Sequence, residues 1–124
     1  MKQLFYKCSH CGSIIAFVKD SGVPVFCCGE KMFELVPDIV DALPKKHVPV
    51  YSIEGNIVRV NVGSDEHIMA PVHHIEWISL QTKQGNQRKE LCLKGKPEAY
   101  FALCEGDEVE AVYAYCNLHG LWKA

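Results

Sequence analysis

The sequence has 124 residues, 48% hydrophobic and 23% charged, with a formal net charge of −2. That length suits one ordinary domain or two very small ones, and the near-neutral balance removes any global pull toward nucleic acid or an anionic membrane. Its apolar runs fall well short of the roughly 18–20 residues that cross a bilayer, and "MKQLFYKCSHCG" has neither an apolar signal core nor a small-residue cleavage site, so the expected location is the cytoplasm.

Seven cysteines, an odd number without a secretion signal, argue for metal binding over a disulfide framework. The composition changes near Val36-Pro37. Four cysteines lie before it, and five of the six histidines lie after it with the other three cysteines. The expected division is therefore 1–36 and 37–124. In the first part, "SIIAFVK" and "VPVFC" read as short strands around a Ser21-Gly22 turn. About 36 residues cannot bury an adequate core and need a staple such as a metal.

The second part reads as all-β. "PDIVDALPKK" (37–46), bracketed by prolines, is a weak helical candidate. "VPVYSI" (48–53), the turn "EGN" and "IVRVNV" (57–62) form an expected hairpin, with Ile57, Val58, Val60 and Val62 set against Arg59 and Asn61. "HHIEWISLQT" (73–82) is the next strand and "KQGNQ" the turn after it. "KELCLK" (89–94), "EAYFALC" (98–104) and "EVEAVYAYC" (108–116) complete the set, placing Cys92 and Cys104 in apolar strands as buried thiols. Five or six short strands at this spacing suggest a β-sandwich.

Two groups of residues carry chemistry. "CSHCG" is a Cys-x-x-Cys followed by glycine, a turn that aims backbone N–H groups at sulfur, and "FCCGE" adds two thiols after fifteen intervening residues. Four thiolates, from Cys8, Cys11, Cys27 and Cys28, suit tetrahedral zinc or a single iron. His10, inside the knuckle, reads as a loop residue. The flanks read as strands, against a thioredoxin-type redox helix. The second group is "KKHVPV", "EHIMAPVHHIEWI" and "CNLHGLW". Taken singly, each histidine reads as a surface or satisfied core residue. Together His47, His67, His73, His119 and Cys116 sit at strand or loop ends and point toward zinc, iron, copper or nickel. Five protein ligands on an octahedral ion leave one position open for reaction.

These motifs resemble desulfoferrodoxins, the two-iron superoxide reductases, over essentially the whole chain. The resemblance implies a desulforedoxin-like domain over 1–36 and an immunoglobulin-like catalytic sandwich over 37–124. It implies two iron ions per chain. Cys8, Cys11, Cys27 and Cys28 would hold the first, with zinc as the alternative ion there. His47, His67, His73 and His119 would be equatorial ligands of the second, and Cys116 its axial thiolate. His74 would not be a ligand. Lys46 matches the family's catalytic lysine. The activity implied is one-electron reduction of superoxide to hydrogen peroxide, with rubredoxin or a similar small protein as electron donor and a homodimer as the assembly. Rival readings are a dismutase and a non-catalytic electron-transfer protein. One departure stands out. The family often carries Glu-Lys-His, whereas this chain has Lys45-Lys46-His47. The carboxylate that can close the sixth position of the oxidised iron is therefore missing at that place.

Overall fold

The computed structural model describes residues 3–38 and 43–124. Four of the ten residues of the expected helix over 37–46, those at 39–42, lie outside the described residues. Its visible end is a single turn, α1 (Pro44–His47), started by proline and closed by a bond from the Val48 N–H to the Pro44 carbonyl at 2.9 Å. No helix among the described residues is long and apolar enough to cross a membrane.

Contacts divide the chain into two compact units, Met1–Val36 and Pro37–Ala124. The first contains β1 (Phe5–Lys7), β2 (Ile14–Ala16), β3 (Phe26–Cys27), β4 (Glu30–Lys31) and β5 (Phe33–Glu34). They make a small antiparallel sheet in the order β2-β1-β5 and a separate β3-β4 pair. Strands β1, β4 and β5 were not expected, because runs of two or three residues carry no readable period. The β3-β4 pair is closed by Cys28 and Gly29, both at positive φ (53° and 75°). That turn places Cys27 and Cys28 side by side.

The second unit contains β6 (Pro49–Glu54), β7 (Ile57–Val62), β8 (Ile75–Thr82), β9 (Gly85–Glu90), β10 (Glu98–Ala102), β11 (Val109–Cys116) and β12 (Gly120–Lys123). They form two antiparallel sheets, β10-β7-β6 and β12-β11-β8-β9. Three strands facing four is the count of a constant-type immunoglobulin sandwich. Period-2 alternation drives the packing. Val58, Val60 and Val62 of β7, with Phe101 of β10, meet Ile75, Ile78 and Leu80 of β8 and Val112, Ala114 and Cys116 of β11 in one core. Each large apolar side chain buried there contributes about 1.5–3 kcal/mol.

Two expectations are corrected. The strand placed at 89–94 runs instead over 85–90, because Thr82 pairs with Gly85 and leaves only Lys83-Gln84 in the turn. Every position of β9 except Gln87 is exposed, so it lacks the apolar alternation that marks a strand. Cys92 and Cys104 are exposed rather than buried. Strands β9 and β10 stop at Glu90 and Ala102, so both thiols fall in the turns that follow. Their carbonyls accept from the N–H groups of Gly95 (3.0 Å) and Asp107 (3.1 Å).

Candidate metal centres

In the first unit, Cys8, Cys11, Cys27 and Cys28 offer four sulfurs that all lie within 4.8 Å of one another. Cys11 Sγ is 3.6 Å from Cys27 Sγ, which is 3.9 Å from Cys28 Sγ. A tetrahedron with metal–sulfur bonds near 2.3 Å has edges of about 3.8 Å, so these spacings suit one ion and far exceed a disulfide. The backbone N–H groups of His10 (3.4 Å) and Cys11 (3.5 Å) point at Cys8 Sγ. They pull its thiol below the ordinary value, Cys11 N–H contributing most. Cys11 Sγ leans instead on the Ser13 hydroxyl at 3.1 Å, which helps lower its pKa to about 6. Cys27 is pushed up to about 12 by the sulfurs of Cys8 and Cys11 crowded against it. A divalent ion shared by the four sulfurs would stabilise all of them as thiolates. His10 pairs with Glu30 across the two knuckles, and the Ser9 hydroxyl donates to the same carboxylate at 3.0 Å.

The second centre is assembled at one end of the sandwich from four segments. His47 ends α1, directly before β6. His67 and His73 flank the loop into β8, and Cys116 and His119 flank the tight turn from β11 to β12. One ring nitrogen each of His47, His67 and His73 lies with Cys116 Sγ in a cluster within 4.8 Å. His119 joins through Nδ1, which lies 2.9 Å from His47 Nε2 and 3.8 Å from Cys116 Sγ. Ring centroids run 4.8 Å from His47 to His67, 4.7 Å to His73, 5.0 Å to His119 and 4.7 Å back to His47. Neighbouring rings are nearly perpendicular, between 75° and 89°, and the His47–His73 diagonal is 6.3 Å. Four imidazoles thus stand as a pinwheel around one axis.

The backbone decides which nitrogen faces that axis. Nδ1 of His47 bonds the Leu43 carbonyl at 2.8 Å, and Nδ1 of His67 bonds the Ile68 carbonyl at 2.6 Å. A carbonyl only accepts, so Nδ1 carries the proton in both rings and Nε2 keeps its lone pair toward the axis. The Nε2 atoms of His67 and His73 are buried without a hydrogen-bond partner. A buried nitrogen so placed is costly unless something binds it, and a metal ion at the axis fits. Burial holds His47 and His73 below the ordinary imidazole value and brings His67 to about 4, so these rings are neutral at pH 7. Burial pushes the Cys116 thiol up, and Cys116 is fully enclosed in the sandwich core.

Three further residues, to which the motifs alone assign no role, hold the ring set. Asn117 accepts from the His74 N–H at 2.8 Å and donates to the Val72 carbonyl at 3.1 Å, clasping the segment that carries His73. Trp122 stacks on His47 at 4.8 Å and 26°. Gly63 packs so close to α1 that a Cβ would lie 2.2 Å from the Lys45 carbonyl oxygen. The signal for Asn117 lay within "CNLHG", but its partners are distant in sequence. His74 stands outside the ring set, its Nδ1 bonded to the Ala70 carbonyl at 3.0 Å.

Above the pinwheel opens a cleft of about 630 Å³ lined by all four imidazoles together with Lys46, Glu66, Ile68, Met69, Leu43 and Gly95. Cys116 does not line it. Access is therefore from one side of the ring plane, with the thiol on the closed side. The cleft is far larger than a diatomic molecule, so selection there rests on charge and not on size.

These features can be set beside known proteins. The family model for desulfoferrodoxin matches residues 39–124. A desulfoferrodoxin from Nitratidesulfovibrio vulgaris is 42% identical over 119 residues, covering 96% of this chain and 93% of that protein. The crystal structure of the superoxide reductase from Treponema pallidum superposes with a TM-score of 0.85 at 37% identity, covering all of this chain and 99% of that one. A one-iron superoxide reductase from Giardia intestinalis gives a TM-score of 0.55 at 33% identity, over 64% of this chain and 95% of its own. The Giardia likeness covers 64% of this chain, whereas the other two cover 96% and all of it and so take in the four-cysteine unit. By the extent of the family match and the identity to its members, this chain belongs to the desulfoferrodoxin family.

Proposed function

We propose that this protein is a superoxide reductase, an oxidoreductase that converts superoxide to hydrogen peroxide with one electron and two protons. The observation that carries this reading is the one-sided pinwheel: four imidazoles open to a cleft, backed by a buried thiol. His47, His67 and His73 through Nε2, His119 through Nδ1 and Cys116 through Sγ would hold the second iron. The iron would supply the electron, and the sulfur on the closed side would enrich it in electron density. Lys46, half-buried on the cleft wall, is the catalytic residue. Its ammonium attracts the small anion despite the net charge of −2 and orients water that delivers protons. Leu43 and Ile68 carbonyls fix two of the rings, so no reorganisation is needed when the ligand arrives.

In the same reading the two units are distinct domains, 1–36 and 37–124. The first holds iron, or zinc, on Cys8, Cys11, Cys27 and Cys28, and acts as an electron carrier or a staple for a unit too small to fold alone. Rubredoxin or a similar small protein returns the electron. The chain works as a homodimer in the cytoplasm. The test is stoichiometric. Under a steady superoxide flux with a reduced donor, one hydrogen peroxide should form per superoxide, with matching donor oxidation and no oxygen released. Oxygen evolution would identify a dismutase instead.

A further inference from the structure

Two charged side chains line the cleft above the imidazoles: Lys46 and Glu66. Each directly precedes a histidine of the pinwheel, Lys46 before His47 and Glu66 before His67. Their loops are tied together. The Asp65 N–H donates to the Lys45 carbonyl at 2.9 Å, and the Ser64 hydroxyl reaches the same oxygen at 3.5 Å. The His67 N–H donates to the Val62 carbonyl at 2.9 Å, and Gly63 leaves no space between itself and the Lys45–Lys46 backbone. Glu66 is thus held at the same mouth as Lys46 by backbone on both sides. At position 45, where a glutamate would have stood two residues before His47, the chain has an exposed lysine.

We propose that Glu66 is a charge gate on this cleft: its carboxylate offsets Lys46 and, as a tethered anion, competes with small anions entering above the imidazoles. The inference rests on reading the cleft as the entry for superoxide. A carboxylate across a cleft mouth cancels much of one ammonium's field. Replacing it by the neutral amide leaves the shape and raises the local positive potential. For unit charges several ångströms apart near a protein surface, the change in anion affinity is about three- to tenfold. Glu66 is exposed and Lys46 half-buried, so the effect shrinks once the Debye length falls to a few ångströms.

The experiment is an azide titration of the iron-loaded, oxidised protein, followed through the visible band of the second centre at low and high salt. The variants are Glu66→Gln and Lys46→Gln. Glu66→Gln should lower the azide Kd by about three- to tenfold at low salt, with the gain fading at high salt. Lys46→Gln should raise it. An unchanged or weaker azide affinity in Glu66→Gln, with Lys46→Gln behaving as expected, overturns the role of Glu66 and leaves the superoxide reading intact. A wild-type band that ignores azide altogether overturns both.

Discussion

Gly63→Ala is expected to empty the second metal centre while leaving the first loaded. An alanine Cβ at this position would lie 2.2 Å from the Lys45 oxygen and 2.8 Å from the carbonyl carbons of Lys45 and Lys46. All three atoms are backbone, so no side chain can swing away. Ordinary contact begins near 3.5 Å, so α1 must retreat by about 1 Å. The bond from Asp65 N–H to the Lys45 oxygen stretches with it. Overpacking of this kind costs about 1–3 kcal/mol and a lost backbone bond about 1 kcal/mol, so the second unit should lose about 2–4 kcal/mol. The functional consequence is sharper. His47 ends α1, and a displacement of about 1 Å is half of a metal–nitrogen bond. Metal analysis per chain, with visible spectra of both centres and urea unfolding, measures all of this. The reasoning is refuted if Gly63→Ala keeps both metals, its second-centre band and its unfolding free energy unchanged.

Cys116→Ser should abolish or shift the sulfur-to-metal band of the second centre and lower turnover by more than about tenfold, because a sulfur ligand would be a main electronic lever on the ion held there. The swap is nearly isosteric inside the core, so circular dichroism should be unchanged and the stability loss should stay within about 1–2 kcal/mol. A retained band would remove Cys116 from the ligand set. The metal-free protein should also lose stability in acid. Unfolded histidines take up protons near pH 6.5, whereas burial keeps His67 neutral down to about 4 and lowers His47 and His73 as well. The unfolded state therefore binds more protons between these values. Stability from these rings is complete above about pH 7 and declines as pH falls from 6.5 toward 4. Urea midpoints across that range should fall steadily, and a flat profile would mean that the rings are not buried and neutral.

Much of the fold was legible because burial writes itself into sequence at period 2. Val58, Val60 and Val62 alternate with Arg59 and Asn61, and strand β7 runs where that alternation runs. Where one face is not buried, the signal vanishes: β9 is polar throughout and was displaced by several residues. The thiols of Cys92 and Cys104 were misplaced for a related reason. Apolar neighbours suggested burial, but strand ends are set by pairing, and both ladders end before the cysteines, at Glu90 and Ala102.

By itself the sequence determined the chemistry on offer: clustered thiols, imidazoles at strand ends, and a sandwich able to hold them. These depend on residue type and short spacing, which the chain states directly. Tertiary structure decided how that chemistry is arranged. Carbonyls of Leu43 and Ile68 select the nitrogens, Asn117 clasps the segment of His73, and Gly63 lets α1 approach the loop of His67. It also decided that Glu66 shares the cleft mouth with Lys46. Each of these joins residues about 20 or more positions apart, or depends on a ring's orientation, and no local pattern encodes either.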